Sequence, residues 1–372
     1  MSKEFGGADV RVIQTARHLH DTRHSYAVLA LKGGPLARRL ADQGLNVVPV
    51  ARRRWNPLLA LDIVRAARAI DATIVDAHNV QSQYWAALAA QAMPGRGLVA
   101  TIHSDYGDRN SRFDQRRRRL GAIRACNRAG ASFIAVSSAI ANGLKGMGVA
   151  EARIRTSWNG VEPPNTRPEP ASIRTEAGWA SDAKVIATIG RLDENKGHAL
   201  LIDALARIRA EGWGDLHLFI AGRGPDEARL NRLVDVFGMA DRVHFAGFRR
   251  DVKNILAAAD AHVMPSLSEG LPYALLEASE VSTPTIMSEV GAAPNLFEHG
   301  TNILFTKPGN IPELVAALRT AFERPETLET LGAGARALVD RRLNVRRMMA
   351  ETLDVYNYTG FAEPLQAGDP AE

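Results

Sequence analysis

Residues 266–278, SLSEGLPYALLEA, carry two glutamates eight positions apart, Glu269 and Glu277, with Gly270, Leu271 and Pro272 between them. An ionised carboxylate only accepts hydrogen bonds, so each glutamate can take the hydrogens of sugar hydroxyls, with a diphosphate lying between the two sugars. Pro272 suits a first helical turn, where its missing N–H has no partner to lose. The free N–H groups and the positive dipole end of that helix suit the diphosphate. A helix running from Glu269 to Glu277 separates the carboxylates by ~12 Å along its axis. Glu277 sits among Leu275, Leu276 and Ala278, so it needs a partner wherever it is partly buried. Two glutamates by themselves read more simply as a helix cap and a solvent-facing side chain. The segments around them favour the chemical reading.

The first of these is IGRLDENKGHALLIDAL, residues 189–205. An apolar run ends at Gly190, and Arg191 and Lys196 follow before the next helical pattern. Two cations fixed at the end of a strand can neutralise a diphosphate and stabilise it as a leaving group. That chemistry dispenses with a metal ion, and no D-x-D carboxylate pair stands out to hold one. AGRGPDEARL, residues 221–230, is a second strand–turn–helix junction in which Gly222 and Gly224 admit close backbone approach. Gly6 and Gly7 head the first helical pattern, a suitable place for a phosphate or an acceptor. His103 ends the run GLVATIH, where a polar side chain reaches the ends of the strands.

The elements that must position these residues alternate along the whole chain. Compact apolar runs at 26–31, 46–50, 72–78, 97–103 and 132–137 read as strands covered on both faces. Helical patterns intervene, as at 58–70 and 83–93. A second series follows at 184–190, 216–222, 242–248, 261–266 and 283–288, with helices at 198–211, 226–238 and 312–323. This is an α/β chain of two Rossmann-like doubly wound domains facing a cleft, with ligands expected at the carboxyl ends of the strands. The expected N-terminal acceptor domain covers residues 1–162, and NGVEPPNTRPEP marks a linker placed at 163–175. A donor domain over 176–345 follows, then a C-terminal helix and tail, 346–372, crossing back to the first domain. One element is out of place. The helical pattern VRVIQTARHL begins directly after Gly6 and Gly7, where a doubly wound domain has its central strand. The first strand of the N-terminal domain is therefore expected to be missing, with the true start of the protein upstream.

Composition narrows the class. The chain has 372 residues, 46% hydrophobic, enough for two cored domains. Its single cysteine, Cys126, excludes a disulfide framework and any multi-cysteine metal site. No apolar run approaches the ~20 residues that span a bilayer, and no secretory leader is evident. A cytoplasmic protein is expected, peripheral on the inner face of the membrane. Residues 1–170 hold 25 Lys and Arg against 13 Asp and Glu, whereas residues 171–372 hold 21 against 28. The first half thus faces something anionic. Positive charge peaks in residues 109–128, beginning at Arg109, running through Arg116, Arg117, Arg118 and Arg119, and ending at Arg128. With Phe113, Leu120 and Ile123 interleaved, this segment reads either as a solvated helix face or as an interfacial helix on anionic lipid. Nucleic acid is not expected, since stacking aromatics and RNA-binding signatures are lacking.

Taken together, the segments resemble family 4 of the retaining glycosyltransferases, over nearly the whole chain. FGGADVRVIQTARHL, DAHN at 76–79, VATIHS at 99–104 and FIAVSSAIANGL at 133–144 carry the resemblance in the first half. NGVE, GRLDENKG, AGRGP, VHFAGFRRDV and above all EGLPYALLEA, an E-x7-E motif, carry it in the second. The resemblance implies metal-independent transfer of a sugar from a nucleotide diphosphate, with retention at the anomeric carbon and no cofactor. It implies that Glu269 contacts donor-sugar hydroxyls and Glu277 the ribose, and that Arg191 and Lys196 hold the diphosphate with backbone N–H groups of Gly270 and Leu271. It places Gly190 and Gly222 beside the donor, the base against Phe248 after Gly247, His103 near the sugar and acceptor, and Gly6 and Gly7 near the phosphate. It departs from the family at GAAPN, where Ala292 and Asn295 stand in place of glycine and glutamate, which unsettles any donor preference inferred there. The acceptor is unnamed; a lipid-linked or polysaccharide intermediate of envelope or exopolysaccharide synthesis fits the basic first half. A nucleotide-sugar 2-epimerase or a non-catalytic sugar-nucleotide binder are the alternatives. An epimerase calls for further acid–base groups, of which no clear set is seen. An NAD-dependent dehydrogenase fits less well, because the first glycine turn has no strand before it.

Overall fold

The structure, a computed structural model, describes residues 6–52, 55–104, 113–162, 169–212 and 215–359. Contacts divide the chain into two units, residues 1–159 with 345–372, and residues 160–344.

The first unit runs Gly7–Asp21 (α1), Val28–Leu31 (β1), Pro35–Asp42 (α2), Val47–Val50 (β2), Leu59–Ala69 (α3) and Ile74–Ala77 (β3). It continues through Val80–Ala90 (α4), Gly97–Ile102 (β4), Phe113–Arg128 (α5), Ser132–Ala135 (β5), Ser138–Gly146 (α6) and Ile154–Thr156 (β6). All pairings are parallel, and β3, β4, β5 and β6 form one sheet in that order. β4 and β5 are buried along their whole length, as apolar runs covered on both faces should be. α4 begins at Val80, three residues before the helical pattern read from sequence, because Asn79 and Ser82 form a reciprocal capping box. β6 was not anticipated. It is a three-residue edge strand with Arg155 exposed, too short and too polar to register as an apolar run.

β1 and β2 pair only with each other, as a separate parallel sheet. Among the described residues no strand runs between β1 and β3, the place where the sequence lacks one. A cavity of about 650 Å³ occupies that position, lined by residues 27–31 on one side and 72–78 on the other, with Ala16 and Leu19 of α1.

The second unit contains Ile173–Ala177 (α7), Lys184–Ile189 (β7), His198–Ala210 (α8), Leu216–Ala221 (β8), Glu227–Val236 (α9) and Val243–Gly247 (β9). Val252–Ala258 (α10), Ala261–Met264 (β10), Tyr273–Glu280 (α11), Thr285–Ser288 (β11), Leu304–Thr306 (β12), Ile311–Glu323 (α12) and Pro325–Arg342 (α13) complete it. α7 begins inside the stretch read as linker and runs two residues past its end. Its Ile173 is fully buried beside Val185, Ala187 and Phe219, so residues from 173 onward belong to this unit's core. Residues 163–168 of that stretch lie outside the described residues. The six strands form one parallel sheet in the order β12-β11-β10-β7-β8-β9. Its principal core packs Ile186, Leu218 and Ile220 against Leu201 and Leu205 of α8 and Leu314 and Leu318 of α12. β12, three residues long, also escaped the sequence reading.

The chain ends in the first unit. α14 (Val345–Thr359) lays Met348, Met349, Leu353 and Tyr356 against Val99 of β4 and Ile134 of β5. Arg11, 1% exposed in α1, ties this helix down. Its guanidinium donates to the Ser157 carbonyl and hydroxyl (3.0 and 2.8 Å), to Asn159 Oδ1 (3.3 Å) and to Thr352 Oγ1 (3.0 Å). A buried cation with this many acceptors is satisfied rather than stranded.

Candidate active site

In the second unit the strand order reverses between β7 and β10. From β7 the chain builds outward through β8 and β9, then returns to the other side for β10, β11 and β12. Loops leaving the carboxyl ends on either side of such a switch point diverge and open a ligand crevice. The sequence-predicted residues collect along this edge. Gly190 follows β7, Gly222 follows β8, Phe248 follows β9, and Glu269 lies in the loop after β10.

The loops after β7 and β10 are fastened to one another by one backbone and one side-chain hydrogen bond. Leu267 N–H donates to the Asn195 carbonyl (2.8 Å), and Asn195 Nδ2 donates to the Ser268 carbonyl (2.9 Å). Gly197, at φ +69°, caps α8 where a Cβ would collide with the Pro265 carbonyl, so both conformation and space require glycine. This fastening puts Lys196 Nζ 2.6 Å from Glu269 Oε1, and the same oxygen accepts from Ser266 Oγ at 2.8 Å. The Glu269 side chain is 8% exposed and that of Lys196 25%. Glu269 is therefore not a helix cap. Pro272 is the N-cap of α11 and Tyr273 its first residue. The chain from Glu269 to Pro272 is a non-helical loop bent at Gly270 and Leu271, so the ~12 Å spacing of a continuous helix does not apply.

Glu277 lies in α11, half-buried between buried Leu276 and Ala278. Leu271 is buried, and the Gly270 carbonyl accepts from Ala292 N–H (2.8 Å), which joins the β10 and β11 loops. Asn295, the departure from the family pattern, is exposed at the end of a short 3-10 turn. Arg191 is 54% exposed, with Nε 3.6 Å from Asp193. Phe248 presents an aromatic face 49% exposed at the end of β9. Behind Lys196, His198 is buried, and burial together with the Lys196 charge lowers its pKa to about 4 against the pull of Asp226.

The first unit holds a second polar cluster at the ends of β3 and β4. His103, directly after β4, meets His78 with Nε2 3.0 Å from His78 Nδ1. His78 Nε2 lies 3.2 Å from Asp76 Oδ2. Asp76 also accepts from Thr101 Oγ1 (2.9 Å) and from the Tyr356 hydroxyl of α14 (2.8 Å). Burial opposes ionisation of Asp76, yet His78 and these hydrogen bonds outweigh it and hold its carboxyl below the usual range. Burial first, then His78 and the Arg11 guanidinium, keep the pKa of His103 well below that of a free imidazole, against Asp76. Sequence reasoning named His103 alone here. The D-x-H spacing of Asp76 in β3 and His78 just after it was the available signal, since alternate residues of extended chain share a face. Tyr356 gave none.

Gly6 N-caps α1, and its N–H donates to Asp9 Oδ2 at 3.0 Å. A carboxylate thus already stands where a phosphate was expected. Of residues 109–128, the structure describes the helix from Phe113 and side chains from Arg116, with Arg117, Arg118, Arg124 and Arg128 exposed. Arg109 lies outside the described residues. Among the described residues no three His, Cys, Asp or Glu side chains gather as a metal site, and no helix is long and apolar enough to cross a membrane.

Two family profiles match this chain: Glycosyltransferase Family 4 over residues 5–164 and Glycosyl transferases group 1 over residues 171–338. The chain belongs to glycosyltransferase family 4. The structure of the Anabaena protein HepE in complex with UDP-glucose superposes on this family 4 chain with a TM-score of 0.84. That match has 24% identity and covers 95% of this chain and 97% of the other, a likeness of fold. The lipopolysaccharide core biosynthesis glycosyltransferase LpsD of Rhizobium meliloti is 29% identical over 191 residues, 51% of this chain and 54% of LpsD. WcaL of Salmonella typhimurium, described as a colanic acid biosynthesis glycosyltransferase, is 30% identical over 239 residues, 61% of this chain and 57% of its own. The family 4 chain thus spans little more than half the length of these relatives.

Proposed function

We propose that this chain is a retaining glycosyltransferase moving a sugar from a nucleotide diphosphate sugar to an acceptor of cell-envelope or exopolysaccharide synthesis. The observation carrying the reading is the Lys196–Glu269 pair at the switch point of the second sheet, a cation and a carboxylate fixed together where a nucleotide sugar is recognised. Lys196 and Arg191 neutralise the diphosphate as negative charge develops on it, and Glu269 accepts from donor-sugar hydroxyls. Glu277 accepts from the ribose, Phe248 lies against the base, and the backbone around Gly190, Gly222, Gly270 and Leu271 approaches the phosphates. His103 meets a sugar hydroxyl, and Gly6 and Gly7 the phosphate side of the substrate. In this reading Asp9 must give up Gly6 to the incoming anion. The mechanism needs neither cofactor nor metal ion.

The acceptor reading is supported by the surface of the first unit. Trp55, Leu58 and Leu61 are each more than 40% exposed, and the Arg118 guanidinium lies 5.6 Å from the Trp55 ring centroid. Aromatic and aliphatic groups beside an arginine-rich helix suit an anionic membrane carrying a lipid-linked acceptor. Incubation with a panel of UDP-, GDP- and ADP-sugars in the presence of EDTA tests the whole reading. Release of nucleotide diphosphate supports it. An isomerised nucleotide sugar indicates an epimerase, and binding without turnover a non-catalytic binder.

A further inference from the structure

In the first unit three polar groups that the proposed chemistry above does not use, Tyr356, Asp76 and His78, lead in a chain to His103. The two imidazoles stand 5.3 Å apart centre to centre with 28° between their planes, while their nearest nitrogens are 3.0 Å apart. Face-to-face stacking would put the centroids much nearer to each other than this relative to the nitrogens. The rings instead meet edge to edge, nearly coplanar, in the geometry of a true hydrogen bond.

The direction of that bond follows from its far end. Asp76 accepts from Thr101 Oγ1 and from the Tyr356 hydroxyl, so its Oδ2 faces His78 Nε2 as an acceptor. His78 Nε2 must then carry hydrogen. In a neutral imidazole the other nitrogen is bare, so His78 Nδ1 accepts and His103 Nε2 donates. His103 Nδ1 is left without hydrogen. Among the described residues it makes no hydrogen bond. A doubly protonated His78 would instead donate from Nδ1 to His103 Nε2 and leave the hydrogen of His103 on Nδ1, the arrangement that the spectra below distinguish.

We propose that Asp76, His78 and Tyr356 are positioning residues that lock the tautomer and ring plane of His103, so that it presents a bare Nδ1 as acceptor to a substrate hydroxyl. Tyr356 comes from α14, so the last helix takes part in setting the site. The role of the presented Nδ1 rests on the glycosyltransferase reading; the tautomer does not.

The experiment therefore has two readouts. Nitrogen chemical shifts of the histidine rings in the unliganded full chain separate protonated from bare nitrogens. The expected spectrum gives His103 a protonated Nε2 and a bare Nδ1, and a hydrogen on Nδ1 overturns the proposal whatever the activity. His78→Phe should leave the fold intact by circular dichroism, mix the His103 tautomers and lower kcat by about 10²-fold with the donor KM little changed. His78→Gln, whose amide oxygen can still accept from His103 Nε2, should recover most of that loss. Tyr356→Phe, which removes one of several bonds to Asp76, should have a smaller effect in the same direction. Parental kcat and tautomer in His78→Phe also overturn it. If the parent turns over no nucleotide sugar, the functional reading fails and the spectra still decide the tautomer.

Discussion

Lys196 and Glu269 are 73 residues apart in the chain and share a 2.6 Å ion pair. Their loops leave adjacent strands on either side of a sheet's switch point, and one backbone hydrogen bond plus one from the Asn195 side chain between the loops hold both side chains in place. In the proposed reading a nucleotide sugar arriving there meets a cation and a carboxylate already paired, and must divide the pair's interactions between its diphosphate and its hydroxyls.

Removing one partner is accordingly expected to cost more than removing both. Lys196→Ala strands a carboxylate that is 8% exposed, and should destabilise the protein by about 2 kcal/mol, less than for a fully buried pair because the ammonium is partly solvated. Lys196→Met combined with Glu269→Gln should lie closer to the parent than the two single losses summed. Denaturant melts arranged as a double-mutant cycle measure this, and strict additivity refutes the coupling. Lys196→Ala should also lower turnover more than donor affinity, because charge grows on the leaving diphosphate.

Glu277→Ala should weaken binding of UDP or GDP about tenfold, the loss of a charged acceptor for ribose hydroxyls. Calorimetric titration of the free nucleotides checks it. Affinity equal to the parent's for every nucleotide would remove Glu277 from the site.

Gly222 and Gly212 should respond oppositely to what their backbones alone suggest. Gly212 has φ +68° with open space around its Cβ position, so Gly212→Ala should cost only about 1 kcal/mol of left-handed strain. Gly222 needs no positive φ, but a Cβ there would enter the Gly190 carbonyl, which is backbone and cannot swing aside. Gly222→Ala should cost about 3 kcal/mol, read from thermal or urea melts. The reverse ranking would mean that the β7 and β8 turns are not packed as described.

Stability should fall on acidification. Burial pushes His262 down to about 3, and burial with the nearby Lys196 takes His198 to about 4. Both are neutral in the folded protein. Below the unfolded value of 6.5 the unfolded chain takes up protons that the folded chain refuses, so their contribution is complete above that pH and is lost as pH drops towards the folded values. The slope should approach about 1.4 kcal/mol per pH unit for each histidine between pH 6 and 4. Urea melts at pH 7, 6 and 5 follow the effect, and His262→Phe should flatten it.

The second unit was the more legible in sequence, for a physical reason. A parallel strand covered by helices on both faces must be apolar at every position, so VIATI and LHLFIA announce β7 and β8. Edge strands such as β6 and β12 bury less and are shorter, and they left no such run. The candidate residues at strand ends could be named from their turns. Their pairings could not, because a parallel sheet joins residues through crossovers whose order in space is not written locally. Lys196 with Glu269 is one case. Tyr356 with Asp76, 280 residues apart, is another.

The seam between β1 and β3 has a mechanical consequence. Among the described residues each of these strands hydrogen-bonds on one side only, and the four-residue β1 and β2 ribbon is packed against α1 and α2 through Ile13, Ala16 and Leu40 rather than paired to the larger sheet by a ladder. A plate split along its grain yields at the split. Amide exchange and proteolytic nicking should begin in residues 26–50 while β4 and β5 stay protected.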